Sequence, residues 1–343
     1  MKHRYACVCP KGCVPAVIQE LSDLKLTAAP GGLDWASVDL SDEERAKVLT
    51  RCQSIVQLIQ VLGTGSSEHI LKLAGEIPSP SGTFAVRASG EERLELQESV
   101  GAAIKDHTGA PVNLKNPDTL YFLHDSDGEY VFGIVHGGAL GKRHYKIITG
   151  AQSLTGPFAY GVLRLAGWTP KKDLVVWPSA TGELAIEAAL AATGKSPRAY
   201  EQKVFDSHEA KCRIVCADPK LSMVRSAEKN AKVAGVHSAI RFSRQDADWL
   251  DTKYEENEVA LLVGILPNLK IMPKLVKEVF YQLEYILKQK GNAHFLCVNE
   301  DSAHLLEQAA TDYEVKRTYI WSGKHCFTLV SLARKAKSSR NPA

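Results

Sequence analysis

The chain has 343 residues, of which 45% are hydrophobic and 24% charged, and its formal net charge is +3. That length exceeds one ordinary core and fits two or three domains, and the balance excludes a collagen-like, low-complexity or wholly disordered chain. So small a net charge argues neither for nor against a polyanionic partner, and any such footprint must be a local patch.

No apolar run is long enough to span a bilayer, and the start MKHRYACVCPKGCVPAVIQEL has no uninterrupted h-region, so a cytoplasmic location and no membrane partner are expected. The eight cysteines fall mostly in apolar stretches, as reduced, buried thiols do. Cys7, Cys9 and Cys13 lack a standard zinc spacing and a nearby pair to complete a tetrahedron, so no metal is expected.

In chain order, RYACVCP reads as a strand, and Val14, Val17, Ile18 and Leu21 have helical spacing. After the extended GGLDWASVDL, the string SDEERAKVLTRCQSIVQLIQVL opens on a capping box, Ser41 with Glu44. Pro78 and Pro80 then break all periodicity, which bounds a first α/β module at residues 1–76. A second module, 77–148, offers a strand at 84–88, a helix from Glu91 to His107, and strands at PVNL, TLYFLHDS and EYVFGIVHGG, with Asp127-Gly128 at a hairpin tip. Near its end GKRHYK brings Lys142, Arg143, His144, Tyr145 and Lys146 together.

The third module, 149–335, starts with the helix TGPFAYGVLRLAGW, with Pro157 in its first turn and Gly167 at its end. Apolar strands (DLVVW, CRIVCAD, AIRFSRQDA, VALLVGIL, NAHFLCVNE) then alternate with amphipathic helices, among them LVKEVFYQLEYILKQKG, and a hairpin-like pair from Tyr313 closes the series. Such alternation implies an α/β, doubly wound, mostly parallel sheet, here with an antiparallel edge. Residues 336–343 read as a basic, solvated tail that could touch a polyanion.

Ligands of such sheets bind at the carboxyl ends of the strands, where strand order reverses, and the first βα turn is WPSATGE. Its small residues admit close backbone approach, and the helix that follows aims free N–H groups at a bound molecule, although a plain tight turn would read the same. Asp218 closes the second strand, where a carboxylate could accept ribose hydroxyls, and Asp246 follows the third; either could instead cap the next helix.

FAVRA, PVNLKNPDTLYFL, VFGIVHGGALGKRHYK, SLTGPFAYGVLRLAGW, TGELAIEAAL, AEKNAKVAGV and QDADWL together resemble, in order and spacing, the THUMP-domain RNA methyltransferases, particularly the archaeal-type tRNA guanine-N2 enzymes. The resemblance covers nearly the whole chain. It implies an N-terminal ferredoxin-like domain, a THUMP RNA-binding domain and a Rossmann-like class I methyltransferase domain. It further implies S-adenosylmethionine as cofactor, held by Ser179, Ala180, Thr181, Gly182, Glu183, Asp218, Asp246 and Ala247. The implied partner is structured RNA, the acceptor region of tRNA, with Arg87, Lys115, Lys142, Arg143 and Lys146 on phosphates and Tyr145 stacked on a base.

Two departures stand out. Where the family reads Asp-Pro, two residues, then Gly-Ser-Gly-Thr, this chain has Val176-Trp177 and then Ala180-Thr181-Gly182-Glu183, so a carboxylate near the methionine end is gone. Where amine-methylating members carry Asn or Asp, Pro-Pro and an aromatic, it has Ile265, Leu266, Pro267 and Asn268. Pro267 and Asn268 are left as the catalytic candidates, and Ile265 cannot accept a hydrogen bond from an amine. An active methyltransferase with an altered loop and a catalytically inactive tRNA-binding paralogue are both compatible with these residues. A nucleotide-dependent oxidoreductase lacks its Gly-rich fingerprint and leaves the first half unexplained.

Overall fold

The computed structural model describes residues 1–198 and 207–335; the tail expected at 336–343 lies outside the described residues. The chain divides into two compact units, one of Met1–Cys9 with Val17–Gly141, the other of Pro10–Ala16 with the chain from Lys142 onward.

The first unit is built on β1 (His3–Val8), β2 (Ala28–Pro30), β3 (Trp35–Leu40), β4 (Gln57–Gly65), β5 (Phe84–Ala88), β6 (Thr119–Ser126) and β7 (Glu129–His136). They form one seven-stranded sheet in the order β2-β3-β1-β4-β7-β6-β5, antiparallel except for the β5–β6 pair. The helices of this stretch are α1 (Val14–Asp23), α2 (Asp42–Arg51), α3 (Ser67–Ala74) and α4 (Arg93–Thr108). The segments read as two modules thus share a sheet, through the pairing of β4 with β7.

The capping box forms as read: Ser41 Oγ accepts the Glu44 N–H at 3.3 Å and Glu44 Oε2 accepts the Ser41 N–H at 2.8 Å. The helix it opens stops at Arg51, however, and from Gln57 the string belongs to β4. The cause lies far off in sequence. The buried Glu20 carboxylate accepts the Gln53 and Ser54 N–H groups at 2.7 and 3.0 Å and the Ser54 hydroxyl as well, which turns the chain into the sheet. Asp127 and Gly128 have φ of 54° and 89°, as a tight hairpin tip requires. PVNL makes only one bridge, Phe84 to Val112.

The second unit contains α5 (Gly156–Leu165), β8 (Leu174–Val176), α6 (Glu183–Thr193), β9 (Ile214–Asp218), α7 (Leu221–Val233), β10 (Arg241–Arg244), β11 (Val259–Leu266), α8 (Pro273–Ile286), β12 (Leu287–Cys297), α9 (Glu300–Ala309), β13 (Tyr313–Ser322) and β14 (His325–Arg334). Its sheet runs β10-β9-β8-β11-β12-β14-β13, parallel through the first five strands, with β14 antiparallel to both neighbours. β8 and β9 are buried along their whole length, and that is why they read as continuous apolar runs. On one face Val276, Val279 and Leu283 of α8 and Leu306 of α9 pack with Leu262, Phe295 and Val330. The helix expected to reach Gly291 ends at Ile286, and β12 begins at once with the exposed Lys288, Gln289 and Lys290. Among the cysteines, burial pushes the Cys7, Cys13, Cys216 and Cys297 thiols up to about 12, whereas Cys326 is exposed.

Candidate functional site

Strand order reverses at β8, which has β9 on one side and β11 on the other, so the ends of these strands diverge around a crevice. A cavity of about 430 Å³ opens there. Ala180 and Thr181 of the first turn, Asp218, Asp246 with Ala247, and Ile265 with Pro267 all line it, so the three strand ends singled out from sequence converge on one space. Trp177 forms part of the wall and leaves the cavity open: it is fully buried and its Nε1 donates to the Gln245 carbonyl at 2.9 Å.

The first turn is a fitted piece of backbone. Gly182 has φ +90°, and a Cβ there would lie 2.6 Å from Ala227 Cβ on α7, so the position needs glycine twice over. Gly264 of β11 is constrained by space alone, since a Cβ would lie 1.9 Å from the Trp177 carbonyl oxygen. The Ala180 N–H donates to Asp218 Oδ2 at 3.0 Å and the Lys220 N–H to Oδ1 at 2.9 Å. Asp218 therefore braces the turn as well as facing the cavity. Burial pushes its carboxyl up, and the Lys220, Ala180 and Ser179 amides pull it back.

Three residues expected to touch a cofactor do not line the cavity. Gly182 is the hinge into α6, while Ser179 and Glu183 are fully buried behind the turn. The Glu183 carboxyl, pushed up by burial, accepts the Thr181 hydroxyl at 2.8 Å, and Thr181 Oγ1 lies 2.5 Å from Ser153 Oγ. This chain of bonds attaches Gly150, Ala151, Gln152 and Ser153, a wall of the cavity that sequence reasoning missed, to the turn. Gln152 Nε2 also donates to the Leu266 carbonyl at 3.3 Å, fastening that wall to the end of β11. The run of small and polar residues just before the Pro-containing helix was the signal available.

In the loop after β11, Pro267 faces the cavity but Asn268 does not. Asn268 Oδ1 accepts the Lys270 N–H at 3.1 Å, capping a short turn of 3-10 helix. Asn268 thus lies off the cavity that Pro267 lines.

Two members of the basic segment, Arg143 and Tyr145, lie where RNA cannot reach them. Arg143 and Glu187 form an ion pair whose side chains are both 0% exposed, with Nε to Oε1 at 2.7 Å, and the Tyr145 hydroxyl donates to the same oxygen at 2.8 Å. Burial, and next the Glu187 carboxylate, push the Tyr145 phenol well above its ordinary range. A guanidinium and a ring enclosed in this way cannot meet phosphate or base. Lys146 Nζ donates to the Leu154 carbonyl at 2.7 Å, and Lys142 is exposed. In the first unit Lys115 is exposed, and Arg87 donates to the Leu114 carbonyl at 2.7 Å.

A family model described as the RMKL-like methyltransferase domain matches residues 143–325, more than half the chain. The chain belongs to that family. The match begins at Arg143, the arginine of the buried knot. This RMKL-like protein is 26% identical over 180 residues to the tRNA (guanine(6)-N2)-methyltransferase of Archaeoglobus fulgidus, across 49% of this chain and 44% of that one. It is 26% identical over 287 residues to the ribosomal RNA large subunit methyltransferase K/L of Shewanella frigidimarina, across 69% of this chain and 40% of that one. It thus spans less than half the length of either relative. The crystal structure of TrmN from Thermus thermophilus has the same fold, with a TM-score of 0.72 at 21% identity, covering 97% of this chain and 99% of that one.

Proposed function

We propose that this chain binds S-adenosylmethionine in the strand-end cavity and acts on structured RNA as a methyltransferase of exocyclic amines, with the acceptor region of tRNA as the first substrate to test. The observation that carries this reading is the meeting of Ala180, Asp218 and Asp246 on one 430 Å³ cavity in a member of a methyltransferase family. A space of that size is ordinary for a small-molecule site. The residues present fit the cofactor. An ionised carboxylate offers about four lone-pair directions, so Asp218, with an amide on each oxygen, keeps capacity for ribose hydroxyls. Trp177, Met223, Ile265 and Leu275 supply apolar wall for a purine, and the half-exposed Asp246 supplies an acceptor for its amino group. Bound there, the cofactor would supply an activated methyl group.

On the side of β11, Ile265 and Pro267 offer no side-chain acceptor. Gln152 does: a carbonyl partner takes only its NH2, so Oε1 is left to hold an amine. Residues 77–148 serve in this reading as the THUMP RNA-binding domain after a ferredoxin-like domain at 1–76, with Lys115 and Lys142 on phosphates. No helix among the described residues is long and apolar enough to cross a membrane, and the work is assigned to the cytoplasm. Transfer of labelled methyl to unmodified tRNA and ribosomal RNA transcripts tests the reading. Incorporation into tRNA that Asp218→Ala abolishes is expected. Cofactor binding without any incorporation would instead identify an inactive RNA-binding paralogue.

A further inference from the structure

α8 leaves the cavity by its first turn, since Met272 and Leu275 line the opening. Its inner face is apolar, with Val276, Val279, Leu283 and Ile286 buried. Its outer face is unusual. At 100° per residue, Lys274, Lys277, Tyr281 and Tyr285 fall on one side of the helix over about 16 Å. Both lysines are exposed, and neither has an ion-pair partner among the described residues. Tyr281 is 66% exposed and Tyr285 39%. The 3-10 helix Ala247–Trp249 packs against α8 and carries Trp249, 65% exposed, while its Ala247 and Asp248 line the cavity. Glu278 and Glu284 flank the stripe, and Lys270 is taken by Asp301.

Exposed rings of this size are costly to leave in water and supply no core packing, while the interleaved ammonium groups disfavour burial against an apolar protein face. Single-stranded nucleic acid satisfies both, because every base has a face to stack and every phosphate a charge to neutralise. We propose that the outer face of α8 binds an unpaired stretch of the RNA substrate, with phosphates on Lys274 and Lys277 and a base on Tyr281, at the mouth of the cavity. This rests on the RNA reading above, and the experiment separates the two.

The full-length chain is titrated with a fluorescent tRNA transcript and a fluorescent 12-nucleotide unpaired RNA across a range of salt concentrations. The double change Lys274→Ala with Lys277→Ala should weaken both complexes and lower the steepness of log affinity against log salt by about 1.4, two single-strand phosphate contacts. Tyr281→Ala should weaken binding about fivefold or more, and Tyr281→Phe should restore it. Unchanged slopes with wild-type binding intact would overturn the α8 assignment and leave the RNA reading standing. Failure of the wild-type protein to bind either RNA would overturn both. Sedimentation showing a dimer that these changes dissociate, with RNA affinity unaltered, would make the face a self-interface and overturn the proposal.

Discussion

Two lysine-bearing stretches of the second unit have opposite fates. In residues 142–146, which look like a phosphate grip in sequence, Arg143 and Tyr145 close on Glu187 in a buried knot. In α8, where sequence shows only an amphipathic helix, Lys274, Lys277 and two tyrosines stand in solvent beside the cavity. Residues 142–146 carry three Lys or Arg and no acid, whereas α8 carries two lysines and two glutamates, so composition alone favours the wrong one. The difference is an acid more than forty positions downstream of Arg143, and it teaches that a basic cluster is a footprint only when no distant carboxylate claims it.

The sharpest way to break that contrast is Arg143→Ala. It removes the cation that pairs with the fully buried Glu187 carboxylate, so urea unfolding should show a loss of about 3–5 kcal/mol. A loss below about 1 kcal/mol would return Arg143 to the surface and reopen its RNA role.

His294 extends the theme to pH. Burial holds its imidazole down at about 4, Nδ1 lies 2.8 Å from Ser331 Oγ, and Nε2 has no hydrogen-bond partner among the described residues to take a new proton. Below about pH 6.5 the unfolded chain gains a proton that the folded chain refuses until about pH 4. Stability should therefore fall by up to about 3 kcal/mol as pH drops through that window, and His294→Gln should flatten this component of the curve. Equal slopes in wild type and variant would contradict the assignment.

Gly264→Ala comes next, because its new Cβ would meet the Trp177 carbonyl oxygen at 1.9 Å. A loss of about 1–3 kcal/mol, with weaker cofactor affinity from the displaced turn, is expected in denaturation and calorimetry. An unperturbed protein would mean that β11 and the turn are less closely apposed. The smallest effect belongs to Lys142→Ala: stability within about 0.5 kcal/mol of wild type, but a salt slope for tRNA lower by about 1. A folding defect there would place Lys142 with the knot.

Much of the second unit was legible because its inner strands are buried on both faces and its strand ends follow a topological rule. Asp218, Asp246 and the Ala180 turn could be brought together from that rule alone. The Ser41–Glu44 box was legible because both partners lie within one turn. What escaped depends on distant partners: Glu20 converts residues 53 and 54 from helix to strand entry, Glu187 buries Arg143, and Gln152 and Ser153 reach the rim from an irregular loop. The change from α8 to β12 at Leu287 escaped because Leu283, Leu287 and Gly291 keep helical spacing across it.

The most direct test is a crystal structure grown with S-adenosylhomocysteine. The ribose is expected on Asp218 and the purine between Asp246, Ala247 and the apolar wall, with Gln152 at the sulfur-side rim. Crystals that exclude the ligand at millimolar concentration, or hold it away from the ends of β8, β9 and β10, would contradict the assignment of the cavity and the chemistry built on it.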